Sequence, residues 1–150
     1  MKKMKVRQIE NGAVIDHIAA GKALYIAQLL HLVESSLFVI GSNLQSSKFG
    51  KKDIIKIENY ILSDAEKHSI ALISPRASFV QIQNYDVISK ETSDIPDVIE
   101  YLIVCPNLTC ITNTENMSSR FDINKDNMTV RCAYCEKKYT VDEVKFKRLI

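Results

Sequence analysis

Two short cysteine pairs decide how this chain is read: CPNLTC at residues 105–110 and CAYC at residues 132–135, with 21 residues between them. C-x4-C and C-x2-C about 20 residues apart is the spacing of a tetrahedral zinc site. Each pair makes a tight knuckle, and the intervening hairpin brings the two knuckles together. No histidine follows His68, so a closed shell must use the thiolates of Cys105, Cys110, Cys132 and Cys135. The alternative, two disulfides, is disfavoured because cytosolic thiols stay reduced and the basic start of the chain leads into no apolar export signal. A catalytic zinc keeps one position open for water, whereas four thiolates fill the shell; one structural Zn2+ per chain is expected. A segment of roughly 50 residues is near the lower limit for folding on its own core, so metal binding there amounts to folding.

Outward from the cysteines, residues 120–123 and 128–131 alternate as a hairpin with residues 125–127 as its turn. The chain has 150 residues, 46% hydrophobic and 25% charged, an ordinary globular composition. Glycine and proline total only seven, which excludes fibrous and linker-rich classes. The longest apolar runs are five residues, far short of the roughly 20 of a membrane span. A cytoplasmic protein with no membrane partner is expected. Residues 1–104 hold 12 basic and 12 acidic side chains, and residues 105–150 hold 8 and 6. Zinc on four thiolates carries a net −2, which neutralises the second segment. Neither part shows the basic excess of a nucleic-acid binder. A local patch of Lys137, Lys138, Lys145, Lys147 and Arg148 keeps one rival reading open, a zinc-ribbon nucleic-acid-binding accessory protein.

The first part reads as alternating strands and helices. Residues 5–9 and 13–18 alternate as a first strand or a bent strand pair, with Gly12 as the break, and apolar positions at helical spacing predict a helix over residues 22–33. Short strands follow at residues 37–40, ended by Gly41, and 54–58. Ser63 and Glu66 form a capping box opening a helix that stops near Ser74, before Pro75. Residues 78–82 and 85–90 read as strands, and Pro96 marks a turn into a strand over residues 98–104. Strand, helix, strand, strand, helix, strand is the ferredoxin-like order. The expected fold is therefore α+β: an antiparallel sheet with two helices on one face over residues 1–97, then a small antiparallel zinc-bound domain over residues 98–150. An open sheet face or edge remains for a partner.

No catalytic signal emerges. The four glycines fit neither phosphate-loop pattern, and no G-x-S-x-G or H-E-x-x-H occurs. Asp16 and His17 should point to opposite faces of a strand, which makes a poor dyad. On spacing alone Lys51, Lys52, Lys56 and Lys90 are solvated surface lysines and Tyr85 a strand packing residue. His31 and His68 look like helix-surface groups.

Several strings carry a more specific message. VIDHI (residues 14–18), KDIIKIEN (52–59), NYDV (84–87), VCPN (104–107) and CAYCEK (132–137) resemble the regulatory chain of aspartate carbamoyltransferase, in order and at matching spacings from about Gln8 to Tyr139. The resemblance implies a noncatalytic subunit of pyrimidine synthesis that pairs with a second copy of itself. Its first domain would bind CTP, ATP or UTP as effectors, and its zinc domain would dock on the catalytic chain. It further implies a nucleotide pocket using Ile9, Val14, Asp16, His17, Lys56, Ile82, Tyr85, Val87 and Lys90, with Lys52 as an additional phosphate candidate. Lys90 and His17 would face phosphates, Asp16 and Lys56 the ribose, and backbone near Ile9 and Tyr85 the base edge. Gln8, Val80 and Thr109 depart from the family's common residues. Val80 has no side-chain donor, which bears on how the nucleotides rank.

Overall fold

The computed structural model describes residues 8–47 and 50–147. The strand expected over residues 5–9 falls mostly outside the described residues. Strand β1 (Gly12–Ala19) begins where the break was expected. Gly12 has φ +148°, and a Cβ there would lie 2.0 Å from the Ile57 carbonyl oxygen, so only glycine fits. Helices α1 (Ala23–Leu29) and α2 (Leu32–Ser35) follow, then β2 (Phe38–Ser46), β3 (Gly50–Glu58), α3 (Asp64–Ile73), β4 (Ser78–Gln83) and β5 (Asp86–Thr92).

These strands form one antiparallel sheet in the order β2-β3-β1-β4-β5. That is the expected ferredoxin-like order, with β5 added to one edge by a hairpin. Ile15 of β1 lies opposite Ile55 and Phe79, and all three join Ile26, Leu30 and Ile70 in the core beneath the helices. The capping box is present: Ser63 Oγ accepts the Glu66 N–H at 3.2 Å, and Glu66 Oε1 accepts the Ser63 N–H at 2.9 Å.

Three local expectations change. The helix over residues 22–33 is two helices, because His31 takes φ +57°. The break sends Leu29 and Leu30 into different cores and lets Leu32 bury completely, so the helical spacing survives the interruption. Gly41 does not end its strand. It sits inside β2, where a Cβ would meet Leu44 Cδ1 at 2.8 Å and Ile54 Cγ2 at 3.0 Å. Tyr85 belongs to the β4–β5 turn rather than to β5: Asn84 and Tyr85 have φ +52° and +67°, the signature of a two-residue type I′ hairpin.

The remaining elements are β6 (Val98–Glu100), β7 (Ile103–Val104), α4 (Ile111–Thr114), β8 (Arg120–Asn124), β9 (Thr129–Cys132), β10 (Lys138–Thr140), a 3-10 turn (Val141–Glu143) and β11 (Lys145–Phe146). Strands β10, β9, β8 and β6 make a four-stranded antiparallel sheet, and β11 pairs with β7. Tyr101, at φ +74°, splits the single strand expected over residues 98–104. The hairpin expected between the cysteine pairs is present as β8 and β9. Phe121, Val130, Ile103 and Leu102 build the second core, which also takes in Leu29 and Leu72 from α1 and α3. The Lys147 ammonium lies 4.5 Å from the centre of the Tyr101 ring, and Arg148 lies outside the described residues.

Candidate functional site

The two cysteine pairs converge. The four sulfurs lie within 4.8 Å of one another, with Cys105 to Cys135 and Cys110 to Cys132 each at 3.7 Å. All four are free thiols, so the disulfide alternative is excluded at this geometry. Separations of this size are those of four thiolates that each hold one metal ion at about 2.3 Å.

The knuckles are fixed from behind. Asn113 Nδ2 donates to the Cys105 and Asn107 carbonyls at 2.8 Å each, and Cys110 N donates to Asn107 O at 3.0 Å. Thr109 donates through both its N–H and its hydroxyl to Asn107 Oδ1. Across the site Cys132 N donates to Lys137 O, and Glu136 turns at φ +62°. The thiols are unequal. Burial pushes Cys105 up to about 12. Burial acts the same way on Cys135, but the Lys137 N–H, the Asn107 side chain and the neighbouring sulfurs outweigh it and bring that thiol down to about 7. Cys132 is raised, chiefly by burial; in Cys110 hydrogen bonds from Thr112 overcome burial and lower it. Each 3.7 Å contact thus joins one raised and one lowered thiol, and the raised thiols in particular must give up protons before four thiolates can hold an ion.

A second arrangement occupies the face of the five-stranded sheet that the helices leave uncovered. Ile9, Val14 and Ile54 are buried together there, with Leu44, Val80 and Ile82 packed against them. Val14 lies opposite Lys56 and Val80, and Val80 lies opposite Lys90, so Lys56, Val14, Val80 and Lys90 form one row across four strands. In the next row toward the start of β1, Gly12, Ile82 and Val87 are paired; in the next row the other way, Asp16, Ser78 and Thr92 are. Tyr85 is exposed on the adjoining turn, and its N–H donates to Glu10 O at 2.8 Å, tying the segment after Ile9 to the hairpin. The exposed Gln8 precedes Ile9, and Val80 makes part of the apolar floor.

Asp16 and His17 are not on opposite faces in the simple sense expected. A bulge between Ile15 and Ile18, with His17 at φ +55°, lets both neighbours be used. His17 Nδ1 meets the hydroxyl of Ser78, the residue opposite Asp16, at 3.0 Å. Asp16 pairs with Lys52 at 2.9 Å and accepts the His17 N–H at 2.7 Å. Burial works to raise the Asp16 pKa, yet Lys52 and the His17 N–H together hold it below its ordinary value. Burial lowers the pKa of Lys56, and the field of Asp16 partly restores it. Lys52 is thus already engaged by a carboxylate.

Two cavities open beside His17, at the Asp16 end of the sheet. One is lined by His17, Lys51, Ser74 and Arg76, the other by His17, Arg76, Ser78, Lys90 and Thr92. Sequence reading missed Arg76, since an arginine after Pro75 reads only as a turn residue. It also missed Asp53, which is buried and accepts four hydrogen bonds. Its one signal was its place between Lys52 and Ile54, on the face opposite to theirs. Among the described residues no helix is long and apolar enough to cross a membrane.

Two family models together cover most of the chain. The allosteric domain of the aspartate carbamoyltransferase regulatory chain matches residues 4–94, and the metal binding domain of the same chain matches residues 97–145. Similar proteins named aspartate carbamoyltransferase regulatory chain include that of Thermococcus sibiricus, 41% identical over 138 residues covering 91% of this chain and 92% of the relative. That of Methanococcus vannielii is 44% identical over 135 residues, 89% and 91% of the two chains. That of Klebsiella pneumoniae is 39% identical over 141 residues, 92% of each. With a cluster of four cysteines that could hold a metal ion in one matched region and the patterned sheet face in the other, the chain belongs to the aspartate carbamoyltransferase regulatory chains, a family of noncatalytic subunits.

Proposed function

We propose that this chain is the allosteric subunit of a cytoplasmic aspartate carbamoyltransferase, that residues 1–97 bind CTP, ATP or UTP as competing effectors, and that residues 98–150 carry structural zinc and dock on the catalytic chain. The observation that carries the reading is the row of Lys56, Val14, Val80 and Lys90 with Ile9, Ile82, Tyr85 and Val87 to one side and Asp16 and His17 to the other. An apolar floor flanked by cations suits a base and ribose lying flat with phosphates at the basic end. Zinc is favoured for the metal because four thiolates in a tetrahedron suit a d10 ion that needs no open position. Leu108 is 85% exposed between the first two cysteines, where a rigid knuckle presents it as a contact for the catalytic chain. The sheet edges at β2 and β5 leave room for the pairing of two regulatory chains.

Regulation then requires that an effector bind differently in two states of the assembly, and that the zinc unit transmit the bias. Mixing the purified chain with a cognate catalytic trimer tests this. Aspartate saturation should become dependent on CTP or ATP, and the chain alone should make no carbamoyl aspartate. Saturation curves unmoved by either nucleotide in the reconstituted complex would overturn the proposal.

A further inference from the structure

The two matched regions meet along a seam that is tight on one side and open on the other. Leu29 of α1 and Leu72 of α3 are buried in the second core, and Ile73 packs against both cores. Beside this apolar axis lies a cavity of about 370 Å³, with Tyr25 and Ile73 in one wall and Val141 and Val144 in the other. Lys22 and Asp142 also line it, one from each region, and pair across the gap at 3.8 Å. We infer that this pair is a clasp: the second region turns about Leu29, Leu72 and Ile73, and an effector on the uncovered sheet face changes how far the clasp is closed. The inference rests on the nucleotide reading of that face.

Packing makes the axis stiff and the cavity side compliant. Side chains in a filled core resist displacement, whereas walls with open space between them lose little dispersion energy when they move. The clasp itself adds little resistance. Its side chains are 44% and 88% exposed, and ion pairs in that setting break and re-form at small cost. The 3-10 turn that carries Asp142 is held as lightly, by the Val141 N–H to Met128 O and the Val144 N–H to Val141 O, both at 3.3 Å. A light clasp on a compliant edge is one that a modest difference in effector affinity can move.

The opposite wall is tied to the sheet. Asp53 accepts the N–H groups of Gly21 and Ala23, on either side of Lys22, at 2.9 and 3.1 Å. Ser74, the neighbour of Ile73, accepts the Ala19 N–H at 2.9 Å. Lys22 and Ile73 therefore follow the end of β1 together. On the uncovered face Asp16 of β1 pairs at 2.9 Å with Lys52, the neighbour of Asp53. A ligand that displaces Asp16 or Lys52 shifts β1 and β3 at once, and both strands lead to the turn that carries Lys22.

Zero-length coupling with a carbodiimide tests the clasp in the full-length chain, since it joins the Lys22 amine to the Asp142 carboxylate only when the two touch. Mass spectrometry counts the linked peptide, and Lys22→Arg, which keeps the charge but cannot couple, identifies it. Saturating CTP should change the yield about threefold or more. In the complex with a cognate catalytic trimer, Asp142→Asn should cut the CTP-induced shift of aspartate saturation by about half or more, while changing the CTP affinity of the chain alone by less than about twofold. The swap of Lys22→Asp with Asp142→Lys should restore the shift. Both positions are exposed, so none of these variants threatens the fold. A yield indifferent to bound CTP, a full shift in Asp142→Asn, or a swap that restores nothing would overturn the clasp and leave the nucleotide reading standing. A wild-type chain that binds no CTP by calorimetry would remove both.

Discussion

The carboxylate of Asp53, 1% exposed in the middle of β3, accepts the backbone N–H of Gly21 at 2.9 Å across the sheet. The same oxygen takes the Ala23 N–H, while the other takes the Ser42 hydroxyl and the Asn43 N–H. Helix α1 receives no side-chain cap from Lys22, its own N-cap residue. Asp53 supplies that function from a different strand and, on its second oxygen, holds the bulge of β2 around Asn43. It is next in sequence to Lys52, so the strand residue that meets Asp16 on one face is followed by the one that organises α1 on the other.

Asp53→Asn tests this role. The amide keeps the shape but replaces one acceptor by a donor, so one pair of buried donors faces an N–H2 group. A loss of about 2–4 kcal/mol is expected in the denaturant midpoint. A change below about 0.5 kcal/mol would mean that water replaces the carboxylate and that Asp53 does not organise the β1–α1 turn.

Removing a ligand of the four-sulfur cluster should dismantle the second core. Cys110→Ser is expected to reduce metal from one equivalent per chain to background by elemental analysis and to abolish binding to the catalytic chain. Because Leu29 and Leu72 pack into that core, the first region should lose stability while retaining nucleotide binding. Calorimetry of unfolding, set beside a nucleotide titration, separates these effects.

Metal affinity should rise with pH. Cys105 is pushed up to about 12 and Cys132 is raised too, so both are protonated at neutral pH, whereas Cys135 at about 7 is already partly thiolate. Binding must release the protons of the raised thiols, and the apparent affinity is expected to climb at least tenfold per pH unit. Chelator competition at several pH values checks the slope. A flat dependence would show that the thiols are already ionised.

The Asp16–Lys52 pair makes a prediction for stability at low pH. A carboxylate whose folded pKa is depressed stabilises the fold above its unfolded pKa, about 3.9, and that stability is lost as pH falls through the folded value. Lys52→Met removes the partner and leaves burial to raise Asp16. The variant should be less stable than the wild type at neutral pH and should close the gap below about pH 4. Carboxyl-carbon NMR of Asp16 reports the pKa directly, and an unchanged titration would place its stabilisation in the His17 N–H instead.

Lys90 sits opposite Val80 in the central row of the face. Lys90→Ala should weaken triphosphates by about 10- to 100-fold, the range of one charge-assisted hydrogen bond, with far less effect on nucleosides. Equal losses for cytidine and CTP would take Lys90 out of a phosphate role.

Local chemistry was legible in the sequence. Cysteine spacing fixes where knuckles can form, Ser63 with Glu66 specifies a helix start through adjacent atoms, and alternation about Ile15 and Ile55 marks which side chains face inward. Those patterns were enough for the ferredoxin-like order and the four-cysteine cluster. What depends on pairing was not legible. The bulge at Asp16 and His17, the passage of β2 through Gly41 and the capping of α1 by Asp53 are set by which residue stands opposite, at sequence separations no local pattern spans. Likewise Pro75 and Arg76 are a surface turn in the sequence. They line two cavities only because the fold sets them beside His17, with Lys51 in one cavity and Lys90 in the other.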